Sequence, residues 1–96
     1  MAVLYITEYA AISIPNAPIA PGEAIASQTV AIGGSSAQSS AFNAQTRYVR
    51  LHTDAICSIS FGSNPTASAT TARMAADATE YFSVNPSTKV AVITNT

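Results

Sequence analysis

This chain of 96 residues has little charge, one cysteine, one histidine and no tryptophan. Charged residues make up 9% of it, against roughly a quarter in ordinary soluble domains. The four Lys and Arg residues are never adjacent and the net charge is −1, so a basic surface for phosphates is missing and nucleic-acid binding is disfavoured. Because Ala, Ser and Thr fill 42 positions, the surface is rich in methyl and hydroxyl groups, which favours a protein partly covered by neighbours.

The scarcity of cysteine and histidine limits the chemistry. A single cysteine, Cys57, excludes a disulfide within the chain, and its position near Ile59 and Phe61 predicts a buried apolar residue rather than a reactive thiol. The remaining candidate ligands are scattered without metal-binding spacing, so we expect neither a metal nor a cofactor. No apolar run approaches the roughly 18 residues of a membrane span and no signal-peptide pattern is present, so we expect neither of these.

Catalytic patterns are equally sparse. His52 and Asp54 are two residues apart and could form an oriented base, but a nucleophile would have to lie nearby, and no Gly-x-Ser-x-Gly elbow is present. The chain has enough carboxylates for the pair that glycoside hydrolysis needs. However, the clefts of such enzymes are usually lined by aromatic side chains, and this chain has no tryptophan. These carboxylates are Glu8, Glu23, Asp54, Asp77 and Glu80. We therefore expect no enzymatic function.

The middle of the chain has the clearest strand pattern. In residues 47–52, Val49 and Leu51 alternate with Tyr48, Arg50 and His52, and residues 55–61 show the same period of two. This pattern predicts two antiparallel strands joined as a β-hairpin through Thr53-Asp54.

The other segments extend the all-β pattern. Strands are predicted over 3–9, 23–32, 79–84 and 89–94, with the last two joined as a second hairpin through residues 85–87. Residues 73–78 are the one place where a helical turn is expected. We predict a single β domain over 1–96, an antiparallel β-sandwich of jelly-roll or immunoglobulin-like type, with a small closed barrel as the alternative.

Two connections have distinctive compositions. Residues 10–22 hold three prolines at three-residue intervals and predict an extended connection between strands. Residues 33–41 are rich in Gly and Ser, and predict a flexible loop unless a partner covers it. Phe42 is expected to attach the far end of this loop to the core.

The polar strand faces hold the candidate interface residues. If Val49 and Leu51 face the core, Tyr48 and Arg50 face outward together, and Tyr and Arg are enriched at interface hot spots. Tyr5 and Tyr9 form a similar pair on the first strand. The alternative is that these tyrosines simply cover the second face of an ordinary sheet.

From Arg47 onward, over roughly half its length, the chain contains an ordered series of strand and turn residues. The series is Tyr48-Val49-Arg50-Leu51, Asp54-Ala55, Ile59-Ser60-Phe61-Gly62, Asn64-Pro65-Thr66-Ala67, Glu80-Tyr81-Phe82, Val84, Pro86 and Lys89-Val90-Ala91-Val92-Ile93. In this series the chain resembles the small virion structural proteins of tailed bacteriophages, and residues 10–22 have no counterpart in the resemblance.

The resemblance implies a β-sandwich that decorates or cements the phage capsid as a homo-oligomer, with the major capsid protein or another virion protein as partner. It implies synthesis in the host cytoplasm and a final location on the capsid surface, and it offers no catalytic motif. A receptor- or glycan-binding module of a tail fibre or adhesin is the alternative, with ligand contacts from loops 35–40 and 63–71. An accessory enzyme depending on His52 is a third hypothesis.

Overall fold

A computed structural model describes residues 2–10 and 24–96 of the chain. These residues form eight β-strands. In chain order they are β1 (Val3–Tyr9), β2 (Ala26–Ala31), β3 (Ala37–Gln38), β4 (Tyr48–Thr53), β5 (Cys57–Gly62), β6 (Ala72–Met74), β7 (Thr79–Ser83) and β8 (Lys89–Thr94). In this part of the chain, no helix is long and apolar enough to cross a membrane.

The strands form two four-stranded antiparallel sheets. The first sheet has the order β2-β1-β4-β7, and the second has the order β3-β8-β5-β6. Neither sheet closes into a barrel, and the inner faces of the two sheets share one apolar core. The prediction of an all-β antiparallel fold with two layers is confirmed.

Alternation along each strand builds the core. On β1 and β4, Leu4, Ile6, Val49 and Leu51 are almost completely buried, while their sequence neighbours lie on the opposite face. Burying each such side chain contributes roughly 1.5–3 kcal/mol. The other core residues are Val30, Phe42, Cys57, Ile59, Met74, Val90 and Val92. The predictions that Cys57 is buried and that Phe42 joins the core are confirmed.

The predicted central hairpin is wrong. β4 pairs with β1 and β7, whereas β5 pairs with β8 and β6 in the other sheet. The Thr53 hydroxyl donates to the carbonyl of Ala55 at 2.6 Å, and the Asp54 carboxylate accepts from the backbone N–H of Val3 at 2.6 Å. These bonds fix the corner where the chain passes from one sheet to the other. The period of two predicts which side of a strand is buried, but does not identify the neighbouring strand.

Two further local predictions are also wrong. β7 and β8 lie in different sheets, so the turn at 85–87 links two layers rather than forming a second hairpin. Residues 73–78 form no helical turn, because Arg73 and Met74 belong to β6 and a tight turn follows. Asp77 in that turn has a φ of 60°, a left-handed conformation that cannot continue a right-handed helix.

The Gly/Ser stretch 33–41 contains a short strand that the sequence did not predict. β3 pairs with β8, and the pairing extends to Ser39, whose hydroxyl accepts from the backbone N–H of Val90 at 3.0 Å. Phe42 continues it by donating its N–H to the carbonyl of Thr88 at 2.8 Å. The flexibility of 33–41 stays a prediction. The proline-rich connection 10–22 lies outside the described residues except for Ala10.

The loop between β5 and β6, residues 63–71, lies over the outer face of the second sheet. Ser58 and Ala91 are completely buried, although they point away from the core. Gln38 donates its side-chain amide to the carbonyl of Pro65 at 2.8 Å, and both Pro65 and Ala67 are buried. The loop 63–71, which the alternative hypothesis assigned to ligand contacts, therefore has two of its residues, Pro65 and Ala67, buried against the protein.

A buried carboxylate, that of Glu8, lies at one end of the first sheet. Glu8 is 2% exposed and points inward from β1. It accepts hydrogen bonds from the backbone N–H of Asn43 and the hydroxyl of Thr46, both at 2.8 Å, and from the side-chain amide of Gln28 at 3.3 Å. This position identifies Glu8 as a residue that ties β1 and β2 to the segment before β4.

Candidate protein-binding face

The outer face of the first sheet collects the most distinctive side chains of the protein. All four tyrosines and the single histidine of the sequence lie there. We call this surface the tyrosine face. Its members are Tyr5, Thr7 and Tyr9 on β1; Ser27 and Thr29 on β2; Tyr48, Arg50 and His52 on β4; and Thr79, Tyr81 and Ser83 on β7.

Arg50 lies at the centre of the tyrosine face. Thr7 on β1 and Tyr81 on β7 are its partners across the sheet, and Tyr48 and His52 flank it along β4. Tyr81 is 55% exposed, while Arg50 is half-buried. The residues next to Arg50, across and along the sheet, thus carry aromatic rings and hydroxyl groups, and tyrosine and arginine are both enriched at interface hot spots.

Tyr9 and Tyr48 form a stacked pair at one end of the face. Their ring centroids are 5.1 Å apart, with an interplanar angle of 14°. Tyr9 is 9% exposed and Tyr48 is 7% exposed. The Tyr48 hydroxyl is buried and has no hydrogen-bond partner among residues 2–10 and 24–96. Burial raises the pKa of this phenol, and the neighbouring phenols of Tyr9 and Tyr81 raise it further.

A groove of about 630 Å³ opens beside β1 towards the other end. Its walls include Tyr5, Thr7, Ser27, Arg50 and His52. Tyr5 is 45% exposed, and its ring lies 6.2 Å from the imidazole of His52 in a tilted arrangement. The groove therefore combines an exposed aromatic ring, several hydroxyl groups and a guanidinium.

The charge on this face has one sign. At the strand positions that form it, the ionisable groups other than tyrosine are Arg50 and His52, with no carboxylate among the described residues. Glu8 and Glu80 occur on the same strands, but they alternate to the other side. The face is thus complementary to a partner that supplies hydrogen-bond acceptors or negative charge.

His52 and Asp54, the pair considered as a possible oriented base, hydrogen-bond to other groups. Nδ1 of His52 lies 2.8 Å from the hydroxyl of Thr79, and the carboxylate of Asp54 accepts from the backbone of Val3 instead. Within 2–10 and 24–96, no three His, Cys, Asp or Glu side chains cluster in a way that would hold a metal ion.

The four candidate interface residues lie on one continuous face rather than in two separate pairs. Tyr48 and Arg50 are opposite the buried Val49 and Leu51, as the alternation predicted, but Tyr48 and Tyr9 are themselves buried in their mutual stack. Tyr5 is the most exposed of the four.

Sequence reasoning missed two members of this surface. Tyr81 and His52 were not predicted as interface residues, and only the pairing of β7 with β4 places Tyr81 beside Arg50. Alternation predicts on which side of its strand each of these residues lies, but it does not indicate that β7 and β4 are neighbours.

Comparison of the chain with protein-family models, with curated protein sequences and with solved structures finds no match. The case for a function therefore rests on the geometry of the tyrosine face.

Proposed function

We propose that this protein is a non-enzymatic structural protein of a phage virion, and that it binds the capsid through the tyrosine face. The observation that carries the proposal is the contrast between the two outer faces. The second sheet is covered by loop 63–71, whereas the first sheet presents Tyr5, Tyr81 and Arg50 without such a cover among the described residues.

The composition of the face supports binding to another protein. Tyrosine and arginine supply large contact areas and directed hydrogen bonds, and both are enriched among the residues that dominate binding energy. Small hydroxyl residues such as Thr7, Ser27 and Ser83 surround them, which allows close approach of a partner surface. A decoration protein that binds only the assembled shell stabilises that shell by mass action.

The partner is the major capsid protein or another virion protein, and the protein acts as a homo-oligomer on the particle. Low overall charge supports this role, since a surface with 9% charged residues is suited to being covered by neighbours. The resemblance of the C-terminal half to phage virion proteins points in the same direction.

The first experiment locates the protein. Mass spectrometry of purified virions should detect it, and cryo-electron microscopy should place it on the head surface. Absence from virions would contradict the proposal, and density at the tail tip would replace decoration with adhesion.

The second experiment identifies the face. Purified protein is added back to particles that lack it, and bound protein is measured after sedimentation. Tyr81→Ala, which removes an exposed ring, should weaken binding by about tenfold or more. Arg73→Ala alters an exposed residue of the second sheet and should bind as wild type does. Equal binding by both variants would exclude the tyrosine face as the docking surface.

A glycan-binding module is the second candidate, and the groove beside β1 favours it. An exposed ring next to hydroxyl groups and a guanidinium offers both stacking and hydrogen bonds to a sugar, and Tyr5 lies at its wall. Binding of the free protein to a glycan array, lost in Tyr5→Ala, would support this function over decoration.

A further inference from the structure

Among the described residues, no carboxylate occupies a strand position on the tyrosine face beside the guanidinium of Arg50. Arg50 presents a half-buried guanidinium, and the residues opposite it across the sheet, Thr7 and Tyr81, carry hydroxyl groups rather than carboxylates. A guanidinium has five N–H donors in a planar fork, and the acceptor that matches this fork best is a carboxylate bound through both oxygens.

The charge of the chain and the groove beside Arg50 indicate which class of molecule binds this face. Nucleic acid is disfavoured because the chain has only four Lys and Arg residues and a net charge of −1. Arg50 lines the groove together with Tyr5, Thr7 and Ser27, so a ligand in the groove reaches this side chain. Tyrosine and arginine side chains around it are typical of protein recognition.

We propose that the tyrosine face binds an acidic peptide segment of the partner protein. An Asp or Glu carboxylate of that segment binds the guanidinium of Arg50. This inference rests on the proposed function, because it states the chemistry of the partner surface that the same face contacts.

The test uses the full chain labelled with nitrogen-15 and titrated in an NMR spectrometer. The probe is the blocked peptide acetyl-Ser-Glu-Ala-Asp-Ser-amide, and its matched control is acetyl-Ser-Gln-Ala-Asn-Ser-amide. We expect saturable shifts at Thr7, Arg50 and Tyr81 with the acidic peptide, and about tenfold weaker binding of the neutral one.

Two variants examine the guanidinium. Arg50→Gln should weaken binding of the acidic peptide by about tenfold, and Arg50→Lys, which keeps the charge and loses the fork, by less. Arg73→Gln, on the other sheet, should leave binding unchanged. If Arg50→Gln loses its dispersed spectrum, Arg50→Lys decides the result.

The inference is overturned if the acidic peptide does not bind, if the neutral peptide binds equally well, or if a uronic acid binds in the groove more tightly than the peptide. Sedimentation with particles tests decoration of the particle separately from the carboxylate site at Arg50. Particle binding that survives Arg50→Gln overturns the carboxylate site and leaves decoration standing. Peptide binding without particle binding supports the site and overturns decoration.

Discussion

At the residue scale, Tyr48 has the least favourable position in the described structure. Its ring stacks on Tyr9, but its buried hydroxyl has no hydrogen-bond partner among the described residues. An unpaired buried hydroxyl lowers the stability of the free protein.

This gives a prediction for Tyr48→Phe. The variant keeps the stacked ring and removes the unpaired hydroxyl, so the free energy of unfolding should stay equal or rise by about 1 kcal/mol. Urea denaturation of the free protein measures the change. Tyr81→Phe is the control, since its hydroxyl is on an exposed side chain and its removal should change stability by less than about 0.5 kcal/mol. A clear loss of stability in Tyr48→Phe would mean that its hydroxyl has a partner after all.

Two buried acids should make the protein less stable in alkaline solution. Burial raises the pKa of the Cys57 thiol, partly opposed by the hydroxyl of Thr53, and burial raises the pKa of the Tyr48 phenol. In the unfolded chain these groups lose their protons near their ordinary values of 9.0 and 10.0. The unfolded state then binds fewer protons than the folded state, so stability falls as the pH rises.

The measurement is the free energy of unfolding by urea at a series of pH values. We expect the contribution of these two groups to be level below about pH 8 and to decrease above it, with Tyr48→Phe giving a shallower decrease at the alkaline end. An identical pH dependence in Tyr48→Phe and wild type would contradict the role assigned to this phenol.

At the element scale, Glu8 connects parts of the fold that strand pairing alone does not join. Its carboxylate holds the backbone of Asn43 and the hydroxyl of Thr46, in the segment leading to β4, and the side chain of Gln28 on β2. Glu8→Gln replaces one acceptor oxygen with a donor that faces other donors. We expect a loss of about 1–3 kcal/mol in the free energy of unfolding.

Glu80→Gln provides the matched control, because Glu80 is exposed on β7. Thermal or urea denaturation of the two variants should show a large effect for Glu8 and an effect below about 0.5 kcal/mol for Glu80. Equal effects would indicate that the hydrogen bonds around Glu8 contribute little to the stability of the fold.

The strands themselves could be predicted from the sequence, but their neighbours could not. β1 and β8 have the bounds that their alternation indicated, and Leu51 and Ile59 face the core as expected. Alternation depends on burial, which each strand experiences by itself. Pairing depends on which strand lies alongside, and the short turn at Thr53-Asp54 allows a corner as readily as a hairpin.

The same reason explains how much of the candidate site could be predicted. Tyr5, Tyr9, Tyr48 and Arg50 were identified from residue type and strand face. That these four residues lie on the same surface as Tyr81 follows only from the strand order β2-β1-β4-β7. The stack of Tyr9 on Tyr48 depends on their register, in which the two residues are directly opposite, and one chain read in isolation contains no information on register between distant strands.

At the scale of the whole molecule, the chain repeatedly crosses between the two layers. β4 and β5 are consecutive but lie in different sheets, and so do β7 and β8. The central pairings, β1 with β4 and β5 with β8, join segments that are far apart in sequence. Because the chain crosses between the sheets and both sheets pack on one apolar core, we expect neither sheet to persist when the other unfolds.

We therefore predict that the two sheets unfold together, in a single cooperative transition. The sequence provides a selective probe, since all four tyrosines lie on the first sheet and no tryptophan is present. Tyrosine fluorescence reports on the first sheet alone, whereas far-ultraviolet circular dichroism reports on the strands of both. The midpoints of the two urea transitions should coincide, as expected for two-state unfolding of a small domain. Refolding should take milliseconds to seconds, because the entropy of closing long loops precedes the gain from strand pairing. A fluorescence transition displaced from the circular dichroism transition would show that one sheet persists without the other, and that the shared core does not couple them.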